Sequence, residues 1–557
     1  MPFLVRNVYL ALDEPEAALP AAVAKRLKVP PGAIRTYSPV RRSLDARRDG
    51  PRFCYQVEVA LDESPKNERA RLRHLRPGQA VWLEPQRPQE PRIGSEPLRE
   101  RPMIVGFGPG GMFAALRLAT YGYRPLVLER GRDVRRRHRD VMQKFYREHV
   151  FDESSNLLFG EGGAGTYSDG KLYTRISDPM SRIVFEAFYH HGADPDILID
   201  AHPHIGSDRL PTICTRIRRT IESLGGEIRF ESRVEDIHVE DGRLTELHVR
   251  CTADTEQAER LPAGPVVLAV GHSARDTIRM LHRRGVHIVP KPFQIGVRIE
   301  HPQCLVDKWQ YGAAAGHQRL GPAEYFLVAT GAAGPCGDVF SFCMCPGGEI
   351  LPSNESAGLV ATNGASRSQR RGPFANSGLV LTLDPMSLHP EHAGAASDPE
   401  AAGRIALAAL DYQEQWERSA YGATGATYQV PAQRACDFLG GRVSDGNLEV
   451  SYPLGGRWVD LRPLIPEVVV TALHRALPML DSRLSGFAGA DAIVTAPETR
   501  ASAPVRILRD APSREAVATA QLYPVGEGAG YAGGIVSAAV DGLKTADTIM
   551  ARYAPPR

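Results

Sequence analysis

The sequence predicts an α/β protein: a two-part, dinucleotide-binding-type ββα fold, an inserted mixed α+β domain and a small N-terminal βαββ domain. Three observations predict it. A short apolar run, Met103–Val105, leads into the glycine turn Gly106-Phe-Gly108-Pro-Gly110-Gly111, then a helix and a second apolar run. A second strand–glycine-loop–helix unit lies more than 400 residues later, at 521–549. Between an N-terminal unit and the first glycine turn, residues 85–102 hold five prolines and alternating charges, the mark of a linker.

Taken in order, residues 1–84 form the N-terminal unit. LVRNVYLAL, AIRTYSPVRRSLDAR and PRFCYQVEVAL carry the apolar and β-branched content of strands, and PEAALPAAVAKRL that of a helix. After the 85–102 linker, the expected divisions are a first nucleotide-binding part at 103–285, an inserted substrate domain at 286–479 and a C-terminal nucleotide-binding part at 480–557. The stretches 384–402 and 417–430 read as surface loops, and 130–140, RGRDVRRRHRD, as a solvated basic helix face.

Each residue of the first glycine turn has a physical task. Gly106 makes the tight turn, Gly108 lets backbone approach a pyrophosphate, and Gly111 allows close helix–strand packing, with Gly110 expected beside the cofactor in the same turn. The helix start offers free N–H groups and a positive dipole end. Glu129, 18 residues after Gly111, stands where an acid accepts ribose hydroxyls, with Arg130 beside it. The middle loop Phe159-Gly-Glu-Gly-Gly163-Ala-Gly165-Thr166-Tyr-Ser168-Asp-Gly-Lys171 is rich in glycine, hydroxyls and charge, suited to an anion-binding nest. Val339–Gly348 alternates apolar and small residues and stops at Pro-Gly-Gly. Cys343 and Cys345 stand two apart on it, which puts them on one face as either a redox pair or buried structural thiols. Glu498–Arg506 is expected either to line the cleft or to form an edge strand. His272 and His317 read as structural.

Composition limits the function classes. Lys+Arg 67 against Asp+Glu 65 gives a net charge of +2, which supplies no basic surface for nucleic acid. Apolar runs fall short of the roughly 18 residues of a membrane span. Eight scattered cysteines, with no CxxC pair or HExxH, point to reduced thiols and no metal site. The first residues lack the layout of a secretory signal, so a cytoplasmic location is expected. No pattern specifies an oligomeric state.

The segment 521–535, QLYPVGEGAGYAGGI, resembles the last strand and helix start of FAD-dependent oxidoreductases of the glutathione-reductase and hydroxylase type, with Glu527 in place of the usual Asp. That resemblance implies flavin contacts from Gly526, Glu527, Gly528, Gly533, Gly534 and Ile535. It also implies an adenine-pairing strand near Val234, a closing turn at Gly271, a loop under the flavin carrying Gly163, Gly165, Thr166 and Ser168, and charge stabilisation by Lys171. Val339–Gly348 resembles the flavin-side strand of geranylgeranyl-reductase-like proteins.

The whole chain is similar to the bacterial family of uncharacterised FAD-dependent dehydrogenases, also called NAD(FAD)-utilising dehydrogenases. The likeness rests on SLDAR (43–47), VGFGPGGMFAAL (105–116), FGEGGAGTYSDGKLYTR (159–175), FCMCPGG (342–348), PAQRACDF (431–438), ETRASAPVRI (498–507) and GEGAGYAGGI (526–535). It implies a two-dinucleotide-binding-type FAD fold with an added N-terminal βαββ domain and supplies no substrate. The expected chemistry is hydride transfer between non-covalent FAD and a small-molecule substrate, with Lys171, Cys343 and Cys345 as catalytic candidates. Only one GxGxxG opens a Rossmann unit, so NAD(P)H is expected at most as a transient electron donor. The rival expectations are an FAD monooxygenase of the hydroxylase group, a flavin-dependent RNA-modification protein and a non-catalytic flavin sensor.

Overall fold

A computed structural model describes residues 3–47, 50–62, 78–82, 90–174, 176–254, 256–388 and 398–556. The chain opens with β1 (Phe3–Ala11), α1 (Leu19–Leu27), β2 (Ile34–Asp45) and β3 (Arg52–Leu61). Leu19, Val23 and Leu27 recur at four-residue spacing, so α1 buries one stripe on the sheet, against Phe3, Val5, Val57 and Val59. The βαββ pattern omits one strand. β4 (Ala80–Trp82) pairs antiparallel with β1, giving the order β2-β3-β1-β4. Three residues are too few to show a periodicity in sequence.

The edge strand β2 docks this unit on the rest of the chain. The Arg42 N–H donates to Ile199 O (2.7 Å), and its guanidinium pairs with Asp196 (2.6 Å) and Asp200 (2.8 Å). Residues 85–89 of the expected linker lie outside the described residues. Its remainder is fastened to the end of the chain, with Gly94 N donating to Met550 O (2.8 Å) and Ala554 N to Glu96 O (2.9 Å).

A parallel five-stranded sheet follows, built from β5 (Met103–Val105), β6 (Leu126–Leu128), β7 (Glu227–Arg229), β11 (Val266–Leu268) and β23 (Leu522–Pro524) in the order β23-β11-β5-β6-β7. The middle residues Ile104, Val127, Val267 and Tyr523 face the helices α2 (Pro109–Thr120) and α6 (Ile535–Arg552). Their neighbours Met103, Val105, Leu126 and Leu268 face an antiparallel layer of β8 (Ser232–Glu240), β9 (Arg243–Cys251) and β10 (Ala258–Pro262). The two-residue period of the strands thus produces three layers.

The second sheet has seven strands: β14 (Val328–Ala329), β15 (Val339–Cys345), β18 (Phe374–Leu383), β13 (Phe293–Pro302), β21 (Ile493–Glu498), β19 (Val430–Arg434) and β20 (Gly456–Trp458), in that order. It is antiparallel except for β19–β20 and packs on α5 (Glu467–Asp481). β21 corrects two expectations. It lies inside this sheet between β13 and β19, so Glu498 is not on an edge and a boundary at 480 cuts through the sheet. The chain returns to the first unit only after β21, where β22 (Val505–Ile507) pairs with β12 (Ile288–Pro290).

The α4 helix, Pro399–Ala423, bridges both cores: Ala406 and Leu410 pack with the parallel sheet and Ala409 with the seven-stranded one. It also overruns the expected 417–430 loop, because Glu417 and Ala420 are buried. Residues 389–397 of the other expected loop lie outside the described residues. Among the described residues, no helix is long and apolar enough to cross a membrane, and no group of three or more His, Cys, Asp or Glu is placed to hold a metal ion.

Candidate active site

The carboxyl ends of β5, β6, β11 and β23 open onto one cleft of about 380 Å³, the position at which open α/β sheets present ligands. Its walls come from the whole chain after residue 105: the Gly106–Gly110 turn, Glu129, the 158–171 loop, Ala269–Ser273, Phe342–Cys343, Asn363, Arg500–Ala501 and Val525–Glu527, closed by Gly533–Ile535.

The glycine turn is shaped by backbone sterics. Gly106 has φ +95°, and a Cβ there would stand 2.5 Å from Ala269 O. A Cβ on Gly111 would lie 2.0 Å from Gly106 O, so its hydrogen is what lets helix and strand close. Gly108 differs, since its nearest neighbour would be Gly163 Cα at 3.9 Å. Gly271, Gly533 and Gly534 have nothing within 4 Å of a built Cβ. Gly108 and Gly534 are the N-caps of α2 and α6, and no side chain caps either helix. Two sets of orphan N–H groups and two positive dipole ends therefore border one cleft.

The Glu129 carboxylate is 4% exposed and accepts three backbone N–H groups: Phe107 (2.8 Å), Gly131 (2.9 Å) and Gly160 (2.9 Å). It therefore ties the glycine turn to the middle loop as well as facing the cleft. Arg137 pins that loop from behind. It is fully buried and donates to the carbonyls of Asn156 (2.8 Å), Glu161 (2.7 Å) and Gly163 (2.9 Å). The basic run 130–140 is thus not uniformly a solvated face. One of its arginines satisfies the carbonyls that a tight glycine loop leaves without partners.

Lys171 extends from this loop to the end of β15. Its Nζ lies 3.4 Å from Cys345 Sγ, 3.7 Å from Cys343 Sγ and 3.4 Å from Asp169. Burial pulls its pKa down, but the two sulfurs and Asp169 outweigh that and hold it above the usual lysine value. Beneath them, Arg298 and Glu498 form a fully buried bidentate pair (2.9 and 3.0 Å). Arg298 also reaches Asn376 (2.7 Å) and the Cys343 carbonyl (3.4 Å).

The far wall is a buried charge network. Arg275 contacts Glu355 and Glu417, each at 2.9 Å, and Gln413 at 3.1 Å. Arg500, which borders the cleft, contacts Glu355, Glu417 (2.7 Å) and Ser273 (3.2 Å). Glu355 and Glu417 are shared by both arginines, and Glu414 lies 3.8 Å from Arg275, so Arg500 already has its partners. His272 lies 3.6 Å from Glu527, and both border the cleft.

The cleft brings together Gly106, Gly108, Gly110, Glu129, Gly163, Gly165, Ser168, Lys171, Gly271, Cys343, Gly526, Glu527, Gly533, Gly534 and Ile535. It does not bring in the other expected residues. Val234 is buried and paired with Val249 in the antiparallel layer. The Thr166 hydroxyl donates to Glu161 O (2.7 Å). Arg130 contacts Asp276 and Thr277 and lies over the Phe159 ring. Gly111 and Gly528 face Gly106 O and Gly271 O, and Cys345 is buried behind Cys343. His272, Phe342, Tyr173 and Asn363 also line the cleft, though no individual role was expected of them. Phe342 lies on Val339–Gly348, the strand expected beside the flavin, and Asn363 in the polar turn 360–367 suited to a cavity wall. Tyr173 stands at the end of the middle loop, and His272 directly after the strand-ending Gly271.

Residues 292–501 match the family described as "FAD-dependent protein, C-terminal domain-like", a span that begins just before β13 and ends just after β21. Residues 4–60 match a domain of unknown function. An uncharacterised protein of Clostridium beijerinckii is 37% identical over 559 residues, covering 100% of both chains. Among solved structures, a quinol–fumarate reductase with menaquinol is 14% identical, covering 83% of this chain and 72% of that one, at a TM-score of 0.34. A geranylgeranyl bacteriochlorophyll reductase-like protein of Thermoplasma acidophilum is 13% identical, covering 82% and 79%, at 0.32.

Proposed function

The chain belongs to the family of its full-length Clostridium beijerinckii relative, and on that premise we propose that it is an FAD-dependent oxidoreductase acting on a small-molecule substrate in the cytoplasm. One observation carries the reading: two uncapped helix N-termini, from segments more than 400 residues apart, and a buried acid meet at one cleft. The FAD-dependent family match over 292–501 supports it independently.

The residues suit the cofactor. The Gly106–Gly110 turn and the start of α2 would hold the pyrophosphate through N–H groups that no side chain caps. Glu129 would receive ribose hydroxyls on lone pairs left by its three backbone donors. Gly163, Gly165, Ser168, Gly271, Gly526, Glu527 and Gly533–Ile535 would line the rest of its bed. Bound there, the flavin would supply two-electron, hydride-transfer chemistry. The chain's part is to shape the bed, exclude water behind Phe159 and Phe342, and place Lys171 as the cation at the cleft wall. In this reading 103–285 and the chain after β21 form the FAD-binding part, and 286–498 the substrate side. NAD(P)H serves only as a transient donor.

Anaerobic titration of the purified protein with NADH, NADPH and a metabolite panel, followed by bleaching of the flavin absorbance, tests the reading. At least one organic donor is expected to bleach it. A bound flavin that photoreduction bleaches but no donor does would leave a binding protein without the proposed activity.

A further inference from the structure

The chemistry of the cleft wall around Cys343 goes beyond flavin binding. Cys343 has φ +44°, a left-handed conformation costly for a residue with a side chain and concentrated at functional sites. The strain coincides with a bulge. Phe342 pairs with Gly378 and Cys345 with Asn376, which leaves Cys343 and Met344 opposite Ser377 alone. The bulge breaks the regular alternation of β15 and brings both sulfurs within 3.7 Å of one ammonium, that of Lys171. Cys343 is partly exposed at the cleft wall, whereas Cys345 is fully buried behind it. Both are free thiols.

We propose that Cys343 and Cys345, gathered by Lys171, are a dithiol centre that exchanges with a disulfide-bearing substrate entering the cleft. Cys343, as thiolate, attacks one sulfur of the substrate disulfide; a Cys343–substrate disulfide forms, and the other half leaves as a thiolate. Cys345 then loses its proton to solvent and attacks the Cys343 sulfur. The Cys343–Cys345 disulfide forms and the second substrate thiolate leaves. The substrate disulfide gains two electrons and the cysteine pair loses two. Return to the dithiol takes two electrons and, with Cys343 left as thiolate, one proton, supplied by a thiol reductant or by the proposed flavin. The inference rests on the proposed function only for that flavin route.

The charges around the pair favour this division of roles. The adjacent Cys345 thiol, Lys171 and Arg298 hold the Cys343 thiol below the usual thiol range against the desolvation of its sulfur, while Cys345 Sγ also donates to the Cys343 carbonyl (3.2 Å). Asp169 and Glu498, the facing carboxylates, are themselves paired with Lys171 and Arg298. Cys345 is held above that range by its hydrogen bond to Cys343 and by burial. A low-pKa attacking sulfur at the surface and a resolving thiol behind it are what exchange requires. By contrast, burial pushes Cys214 up to about 12.

The test uses the full-length protein, reduced and desalted. With limiting iodoacetamide at pH 6, peptide mapping is expected to show Cys343 labelled roughly tenfold faster than the exposed Cys304, since an ordinary thiol is almost wholly protonated there. With glutathione disulfide, the chain is expected to lose ~2 Da and yield a Cys343–Cys345 cross-link, while Cys345→Ser stops at glutathione on Cys343. Lys171→Met is expected to move the midpoint of Cys343 labelling to higher pH, and Lys171→Arg to restore it. Cys343 labelled no faster than Cys304, or no internal cross-link in the wild-type chain, overturns the inference. Flavin content is read by absorbance on the same samples. Exchange without flavin contradicts the proposed function alone; flavin beside an inert Cys343 contradicts this inference alone.

Discussion

Glycines four residues or fewer apart in the same turn do different work, and substitutions separate them. Gly111 meets Gly106 O at 2.0 Å through any added Cβ, so Gly111→Ala is expected to destabilise the fold by about 3 kcal/mol in chemical denaturation, whether or not flavin is present. A Cβ on Gly108 meets only Gly163 Cα at 3.9 Å. Gly108→Val is therefore expected to leave folding nearly intact and to abolish flavin binding, read as absorbance after saturation with FAD and gel filtration. Retention of full flavin by that variant would contradict the assigned role of the turn. Glu129 stands between these cases. Its three backbone donors make Glu129→Ala costly to the chain itself, on the order of 3 kcal/mol, beyond any loss of cofactor. The turn was legible in sequence because backbone clearance alone dictates glycine there. Arg130 was not, because its partners Asp276 and Thr277 come from a segment that only folding brings near, and Thr166 was not, because its hydroxyl turns back to Glu161 O within the same loop.

At the scale of elements, α4 shows why sequence patterns failed. Its last two turns, with Gly422 inside them and Gly425 just beyond, fall in the stretch 417–430 expected as a loop. Yet Glu417 is fully buried there, held by Arg275 from one distant segment and by Thr499 and Arg500 from another. Helix continuation is set by that tertiary pairing rather than by local propensity. Glu417→Ala leaves two arginines short of a buried partner and is expected to cost about 3–5 kcal/mol, measured by urea unfolding. A loss under about 1 kcal/mol, the scale of an exposed pair, would show that water reaches the network. β21 was mis-assigned for a similar reason. An apolar six-residue strand has the same pattern in either sheet, and only its pairing with β13 and β19 decides.

At the scale of the whole molecule, the cleft is a product of chain topology. Four parallel strands present their ends together, and a seven-stranded sheet brings β15 and the residues after β21 against them. Among the described residues, none before Gly106 lines the cleft, so a chain beginning at residue 90 is expected to keep its flavin. Loss of flavin from that shortened chain would give the N-terminal unit a part in forming the site. The most direct measurement of the central claim is the identity of the cofactor released by heat from the purified full-length protein, separated by chromatography against FAD and FMN standards. FAD is expected, close to one per chain. FMN, or no flavin even after incubation with excess FAD, would contradict it.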